Sequence, residues 1–336
     1  MKILVLGGTA WVGSHIAAAA IDRGHHVTCL ARGSRVPVGA ELVIADRDDE
    51  DALVPVMGTQ WDAVIDVARQ PVHVVRAVRD LEHVTRRYVF VSTGNVYASQ
   101  ERIGVDETAE RMSPLEGDRI SQPDDYGPAK VACEDIITNG FGRERSVIAR
   151  AGLIAGPGDP TGRTDYWPWR FAHPAVAGKV LAPEAPELPS AVIDVRDLAQ
   201  WLVHCVERDI SGVFNAMGPA VRFPEHLEIA RQAARSDAVV IAAPEEWLQA
   251  RGVDEWSGPR SMPLWLSDRS WYGMNARSVD NAHAAGLSHR PLVDTLRDSL
   301  QWRAAQTDQD NRGAGLSDDE ERELLDELAA RSPAAC

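Results

Sequence analysis

The chain has 336 residues, enough for about two domain-sized units or one α/β domain with a substantial insertion. At 44% hydrophobic and 25% charged residues it has the make-up of an ordinary soluble globular protein. Fifty Asp plus Glu against 35 Lys plus Arg leave a formal charge of -15, which argues against the basic surface of a generic nucleic-acid or anionic-membrane binder.

The first strand is Ile3 to Leu6, an all-apolar run of the kind buried on both faces of a parallel sheet. The apolar character up to Ile21 imitates a signal peptide. Gly7-Gly8, Trp11, Gly13, Ser14 and His15 interrupt it, so a strand, a turn and a helix start explain it better. A helix is predicted over Gly13 to Arg23, ended by Gly24. Strands follow at His26 to Leu30, Leu42 to Ala45, Ala63 to Val67 and Tyr88 to Ser92, with a helical pattern over Val72 to Val84. A helix follows Tyr126, then a strand at Ser146 to Ala149. Strands alternating with helices predict a doubly wound parallel sheet.

Residues 156–190 are rich in Pro, Gly and aromatics without a clear period and read as an insertion. The earlier pattern resumes over Ile193 to Arg208, with Asp197 placed to cap a helix Leu198 to Glu207. Residues 219–280 form a second irregular block, and Leu292 to Trp302 reads as an amphipathic helix packing back on the core. Gln306 to Gly315 is a polar linker. Ser317 and Glu320 form a capping-box signature opening an acidic helix up to Ala330.

Gly7-Gly8-Thr9-Ala10-Trp11-Val12-Gly13 stands between the first strand and the first helix. Glycines there permit a tight turn and let backbone N–H groups approach a pyrophosphate at the positive end of the helix. The end of the second strand carries no acid for a ribose hydroxyl. It runs Ala31-Arg32-Gly33-Ser34-Arg35, which favours NADP over NAD, with Arg32 toward the 2′-phosphate. Tyr126 and Lys130 lie four residues apart on one helix face, downstream of Val91-Ser92-Thr93-Gly94-Asn95-Val96-Tyr97 at the end of the fifth strand.

In this order these motifs resemble the extended short-chain dehydrogenase/reductases, the NAD-dependent epimerase/dehydratase superfamily. The likeness runs from Met1 to about residue 302. Its carriers also include Asp46 after strand three, Asp66-Val67-Ala68 after strand four, Gly156-Pro157 and Ile193-Asp194-Val195-Arg196-Asp197-Leu198. The resemblance implies that Tyr126 is the general acid/base, that Lys130 favours its ionised form and binds the nicotinamide ribose, and that Thr93 hydrogen-bonds the reacting oxygen. It also implies that Asp46 meets the adenine, that Val67 and Ala68 face the cofactor, and that the chain is a homodimer.

Two positions depart from the family pattern. Enzymes acting on nucleotide-linked sugars usually carry Asn where Leu153 stands and a pyrophosphate-clamping Arg where Ser190 stands. Of the ten tryptophans, Trp167, Trp169, Trp201, Trp247, Trp256, Trp265 and Trp271 lie between 151 and 280. Trp201 reads as core. The others either line an aromatic substrate pocket or staple a loop-rich lobe, with Arg163, Arg170 and His173 as surface residues able to add polar contacts.

The organisation expected is a Rossmann domain over residues 1–155 with return segments 191–217 and 281–302. A smaller C-terminal substrate lobe comprises 156–190 and 218–280, and residues 303–336 form the linker and acidic helix. The function expected is an NADPH-dependent carbonyl reductase or alcohol dehydrogenase on a small or medium organic substrate not carried on a nucleotide. One alternative is an NDP-sugar epimerase or dehydratase; the other is a non-catalytic nucleotide-sensing or RNA-binding relative. No metal, membrane or nucleic-acid partner is expected. Cys29, Cys133, Cys205 and Cys336 show no CxxC or zinc spacing and read as reduced thiols of a cytoplasmic protein.

Overall fold

The computed structural model describes residues 1–33, 35–306 and 313–331. Ser34, most of the polar linker and Cys336 lie outside the described residues. The chain divides into two compact units. One comprises Met1–Leu153, Val195–Gly218 and Arg277–His289; the other comprises Ile154–Asp194, Pro219–Ala276 and the chain from Arg290.

In the first unit the apolar runs form strands β1 (Lys2–Leu6), β2 (His26–Ala31), β3 (Glu41–Ile44), β4 (Trp61–Asp66), β5 (Thr85–Thr93) and β6 (Ser146–Ala151). With the strand Gly212–Ala216 they make a seven-stranded sheet whose order is Gly212–Ala216, β6, β5, β4, β1, β2, β3. Every pair is parallel. Ile3, Leu4, Val5 and Leu6 are wholly buried, as expected for a strand covered on both faces.

Helix α1 (Trp11–Asp22) packs beside the helix Val195–Glu207, and α2 (Pro71–Leu81) packs beside α3 (Tyr126–Phe141). Gly24 ends α1 with a left-handed φ of 82°, which costs a glycine little. The strand order reverses between β1 and β4, so the crevice at their carboxyl ends is the ligand position of a doubly wound sheet.

Three expectations change. The helix after Ile193 begins at Val195, so Asp197 lies inside its first turn rather than at its cap; an acid there still faces the positive helix end. The strand Gly212–Ala216 was not anticipated. Helix Leu292–Ala304, assigned above to the first domain, belongs to the second unit. There it packs against the helices Phe223–Ala233 and Tyr166–Ala172, and Thr295 Oγ1 donates to the Asp194 carboxylate at 2.8 Å.

The second unit is built of these helices, the helix Asp318–Arg331 and two-stranded sheets such as Lys179–Pro183 with Val239–Ala243. The irregular block 156–190 therefore holds the helix Tyr166–Ala172 and that first strand, whose Pro and Trp content hid the period. The acidic helix opens with the expected capping box, Ser317 N–H donating to the Glu320 carboxylate at 2.7 Å and Glu320 N–H to Ser317 Oγ at 3.3 Å. No helix among the described residues is long and apolar enough to cross a membrane.

Candidate active site

The turn after β1 is held by two backbone bonds, Gly7 N–H to Leu30 O at 2.9 Å and Ala10 N–H to Gly7 O at 3.0 Å. A Cβ on Gly13 would stand 2.2 Å from the Gly7 carbonyl oxygen, and one on Gly8 would stand 2.4 Å from Cys29 Sγ. The glycines therefore let the first turn of α1 press directly onto the strand end, leaving the helix N-terminus open to an anion.

Above this turn lies a cavity of about 530 Å³ whose wall includes Gly7, Thr9, Ala10, Arg32, Asp46, Val67 and Ala68. Gly8 and Gly13 are buried behind the turn. Trp11 and Val12 begin α1 and are not on that wall; Trp11 packs edge-on to His15 at 6.1 Å between ring centroids. Arg32 and Asp46, expected to serve separate ends of the adenosine, are 3.7 Å apart on one rim, and Arg32 is 74% exposed.

Arg47, Arg69, Gln70 and His73 also line the cavity and were not anticipated. Arg47 binds the wholly buried Asp66 through two hydrogen bonds of 2.7 and 3.0 Å and donates a third to the His73 carbonyl at 2.6 Å. Asp66 also accepts from Tyr88 Oη at 2.5 Å and from Ala68 N–H at 2.8 Å. Burial, with the Asp66 carboxylate beside it, pushes the Tyr88 phenol well above its ordinary value. An acid ending an apolar strand needs a buried cation. That requirement was the available signal for Arg47, masked by the run of acids from Asp46 to Asp49.

The catalytic candidates come from the end of β5, which carries Thr93, and from α3, which carries Tyr126 and Lys130. Gln122–Asp125 form a capping turn in which the Asp125 carboxylate accepts from Ser121 N–H at 2.8 Å, Ser121 Oγ at 2.7 Å and Gln122 N–H at 3.1 Å. The Ser121 bonds, chiefly its hydroxyl, hold Asp125 down to about 2. This turn fixes where α3 starts, at Tyr126. A Cβ on Gly127 would stand 2.5 Å from the Asn95 carbonyl oxygen, so α3 presses its first turn against the segment after β5. Tyr126 and Thr93 each lie within two residues of that one backbone contact. Thr93 Oγ1 accepts from Asn95 N–H at 3.2 Å, leaving its own O–H to donate.

Lys130 is buried, and its ammonium donates to the carbonyls of Ala68 at 2.7 Å and Val91 at 2.6 Å. It also lies 4.3 Å from the Phe90 ring centroid. An ammonium has three N–H donors, so one is left beyond these two bonds. The Arg69 guanidinium stands 5.3 Å over the Tyr126 ring. Tyr126 and Lys130 thus both touch the 68–69 segment that walls the cavity. No cluster of three or more metal-ligating side chains occurs among the described residues.

In the second unit the aromatic residues are mostly core. Trp167 and Trp265 are wholly buried, their indoles donating to the Pro263 carbonyl at 2.8 Å and to Glu245 at 2.6 Å. Trp169 and Trp247 are also buried, Trp256 is half-buried, and Trp271 is 44% exposed. Arg170, expected at the surface, is wholly buried. Arg163 stands 5.3 Å over the Trp256 ring, and His173 stacks on Trp169 at 4.1 Å. Ser190 is buried, its hydroxyl 3.0 Å from His226 Nδ1.

Residues 3–216 match the model of the NAD dependent epimerase/dehydratase family, and the chain belongs to that family. It is 27% identical to the UDP-glucose 4-epimerase of Azospirillum brasilense over 189 residues, 48% of this chain and 51% of that one. The chain therefore spans about half the length of that relative. Among solved structures, the UDP-N-acetylglucosamine 4-epimerase of Bacillus cereus is similar with a TM-score of 0.67 at 15% identity, covering 92% of this chain and 98% of that one. The UDP-glucose 4-epimerase of Bifidobacterium longum, solved in complex with NAD+ and UDP, has a TM-score of 0.65 at 16% identity and coverages of 92% and 100%. These likenesses confirm the fold.

Proposed function

We propose that the protein is an extended-type, NADPH-preferring oxidoreductase that interconverts a carbonyl and an alcohol on a small or medium organic molecule not carried on a nucleotide. The observation that carries this reading is the bond from Lys130 to Ala68 O, which ties the Tyr/Lys pair to the wall of the glycine-turn cavity. The glycine cradle, too tight for any Cβ at Gly8 or Gly13, fits a dinucleotide pyrophosphate. A nicotinamide dinucleotide bound there supplies the hydride donor or acceptor.

The chain's own residues do the rest. Tyr126 gives a proton to the substrate oxygen in reduction and takes it back in oxidation. Thr93 donates a hydrogen bond to that oxygen and holds it near the phenol. Lys130 turns its remaining N–H toward the cofactor ribose. Arg32, exposed on the rim beside Asp46, supports the preference for a 2′-phosphate. The same reading has a cytoplasmic homodimer. Cys29, Cys133 and Cys205 are free and buried, which supports a reducing compartment. Burial pushes them to about 11, 12 and 12 respectively.

A second reading, an NDP-sugar epimerase, is favoured by the relatives, which are UDP-sugar 4-epimerases. Against it stand Leu153 and the buried, His226-bonded Ser190, neither of which can clamp a pyrophosphate. The deciding experiment follows NADPH oxidation with a panel of aldehydes and ketones, and epimerisation with UDP-sugars. The proposal expects the first, lost by roughly 10²- to 10⁴-fold in Tyr126→Phe. UDP-sugar turnover with no carbonyl reduction would replace it by the second reading.

A further inference from the structure

Arg277 is a buried cation with unused donors. It is 6% exposed, and its guanidinium lies 3.9 Å from the Tyr97 ring centroid. Nη2 donates to the Ser99 carbonyl at 3.4 Å and to the Gln100 side-chain oxygen. Nε and Nη1 are buried with no hydrogen-bond partner, and no carboxylate among the described residues pairs with this side chain.

Its neighbour Arg150 shows what the fold does with a cation it keeps for itself. Arg150 stands 4.8 Å from the same Tyr97 ring, yet it holds Glu134 through bonds of 2.8 and 3.0 Å and donates to Tyr97 Oη at 3.0 Å. A buried guanidinium with neither a counter-charge nor a full set of acceptors is costly. Burial pulls Arg277 down to about 10, and Arg150 acts in the same direction. The group is still a cation at neutral pH, so an anion arriving from outside would recover that cost.

The unpaired Nε also lies close to the catalytic segment. Nε stands 3.7 Å from the point a Cβ would occupy on Gly94. Gly94 follows Thr93 directly, and adjacent Cα atoms are about 3.8 Å apart. From this geometry we propose that Arg277 is the recognition site for a carboxylate on the substrate, a few atoms from the oxygen held by Thr93. The substrate class is then short oxo- or hydroxy-acids.

A monoanion matches the single uncompensated charge, because Arg150 is already neutralised by Glu134. A phosphate dianion would bring an excess charge into a buried site. The inference rests on the oxidoreductase reading only for the role of Thr93; the anion site stands on the geometry of Arg277 alone.

The test is calorimetric titration of the full chain with pyruvate, its neutral methyl ester and inorganic phosphate. Pyruvate is expected to bind at least tenfold more tightly than the ester, and Arg277→Gln is expected to abolish that difference. Where Arg277→Gln does not fold, the Nε–H resonance of Arg277 in the wild-type protein is followed by NMR during the same titrations, and it must shift with pyruvate and not with the ester. Equal binding of acid and ester, or an unshifted resonance, overturns the proposal. Phosphate binding tighter than pyruvate overturns the choice of carboxylate. Pyruvate binding that depends on Arg277, in a protein whose NADPH oxidation is absent or indifferent to Tyr126→Phe, leaves this site standing and removes the oxidoreductase reading.

Discussion

In the second unit the Arg170 guanidinium and the Glu321 carboxylate lie 2.8 Å apart, and neither side chain is exposed. Arg170 comes from the Trp-rich helix Tyr166–Ala172 and Glu321 from the acidic helix Asp318–Arg331. Arg170 also donates to Asp318 at 2.7 Å and to the Leu316 carbonyl at 2.7 Å. The other Glu321 oxygen accepts from Leu181 N–H at 2.8 Å. The acidic helix is therefore docked by its charges and not merely solvated by them.

Removing one partner leaves the other buried and uncompensated, which typically costs about 3–5 kcal/mol. Glu321→Ala and Arg170→Ala should each lower stability by that order in urea denaturation. Replacing both together with Met and Leu should restore much of the loss, because the desolvation of both ions disappears. If Glu321→Ala costs less than ~1 kcal/mol, the pair does not anchor the helix.

Acid should weaken the protein through His226. Burial pulls this fully buried imidazole down to about 4, against about 6.5 in an unfolded chain. Between those values the unfolded state binds the extra proton, so stability is constant above about pH 6.5 and falls as pH drops toward 4. The loss approaches about 3 kcal/mol, at 1.4 kcal/mol per pH unit. His73 and His289, also lowered by burial, act in the same direction. The readout is accordingly the difference between wild type and His226→Gln in thermal melts at a series of pH values. Parallel curves would remove His226 from the account.

Gly13→Ala should damage both fold and cofactor site. Its Cβ would meet the Gly7 carbonyl oxygen at 2.2 Å, a backbone atom that cannot swing away. Overpacking of this kind costs about 1–3 kcal/mol, and dinucleotide affinity measured by calorimetry should fall more than tenfold. Gly58→Ala meets nothing within 4 Å and is the control, expected within about 0.5 kcal/mol of wild type.

Lys130→Met should behave differently from Tyr126→Phe. It keeps the apolar stem but strips the Ala68 and Val91 carbonyls of their donor. That costs about 1–3 kcal/mol and loosens the cavity wall, so stability and cofactor affinity should fall together. Tyr126→Phe removes one hydroxyl from a half-buried ring and should change stability by less than about 1 kcal/mol. Equal melting temperatures for the Lys130→Met variant and wild type would refute a structural share for Lys130.

By itself the sequence determined the alternating strands and helices of the first unit, the glycine turn and the Ser317–Glu320 cap. Each is set by residues close together in the chain: a buried strand by its unbroken apolar run, a turn by glycines, a cap by a hydroxyl three residues from an acid. The helix Tyr166–Ala172 escaped because proline and tryptophan obscured its period, and Leu292–Ala304 went to the wrong unit because periodicity does not say what a face packs against. The same limit governed single residues. Arg170 is of a residue type usually found at the surface and is buried only because Asp318 and Glu321 arrive from about 150 positions away. Arg47 stands among the acids Asp46, Asp48 and Asp49 and is buried because Asp66 lies 2.7 Å from it, and Arg277 carried no local signal. Tertiary structure alone decided these, because the cost of burying a charge depends on which distant partner the fold brings within hydrogen-bond reach, or fails to bring.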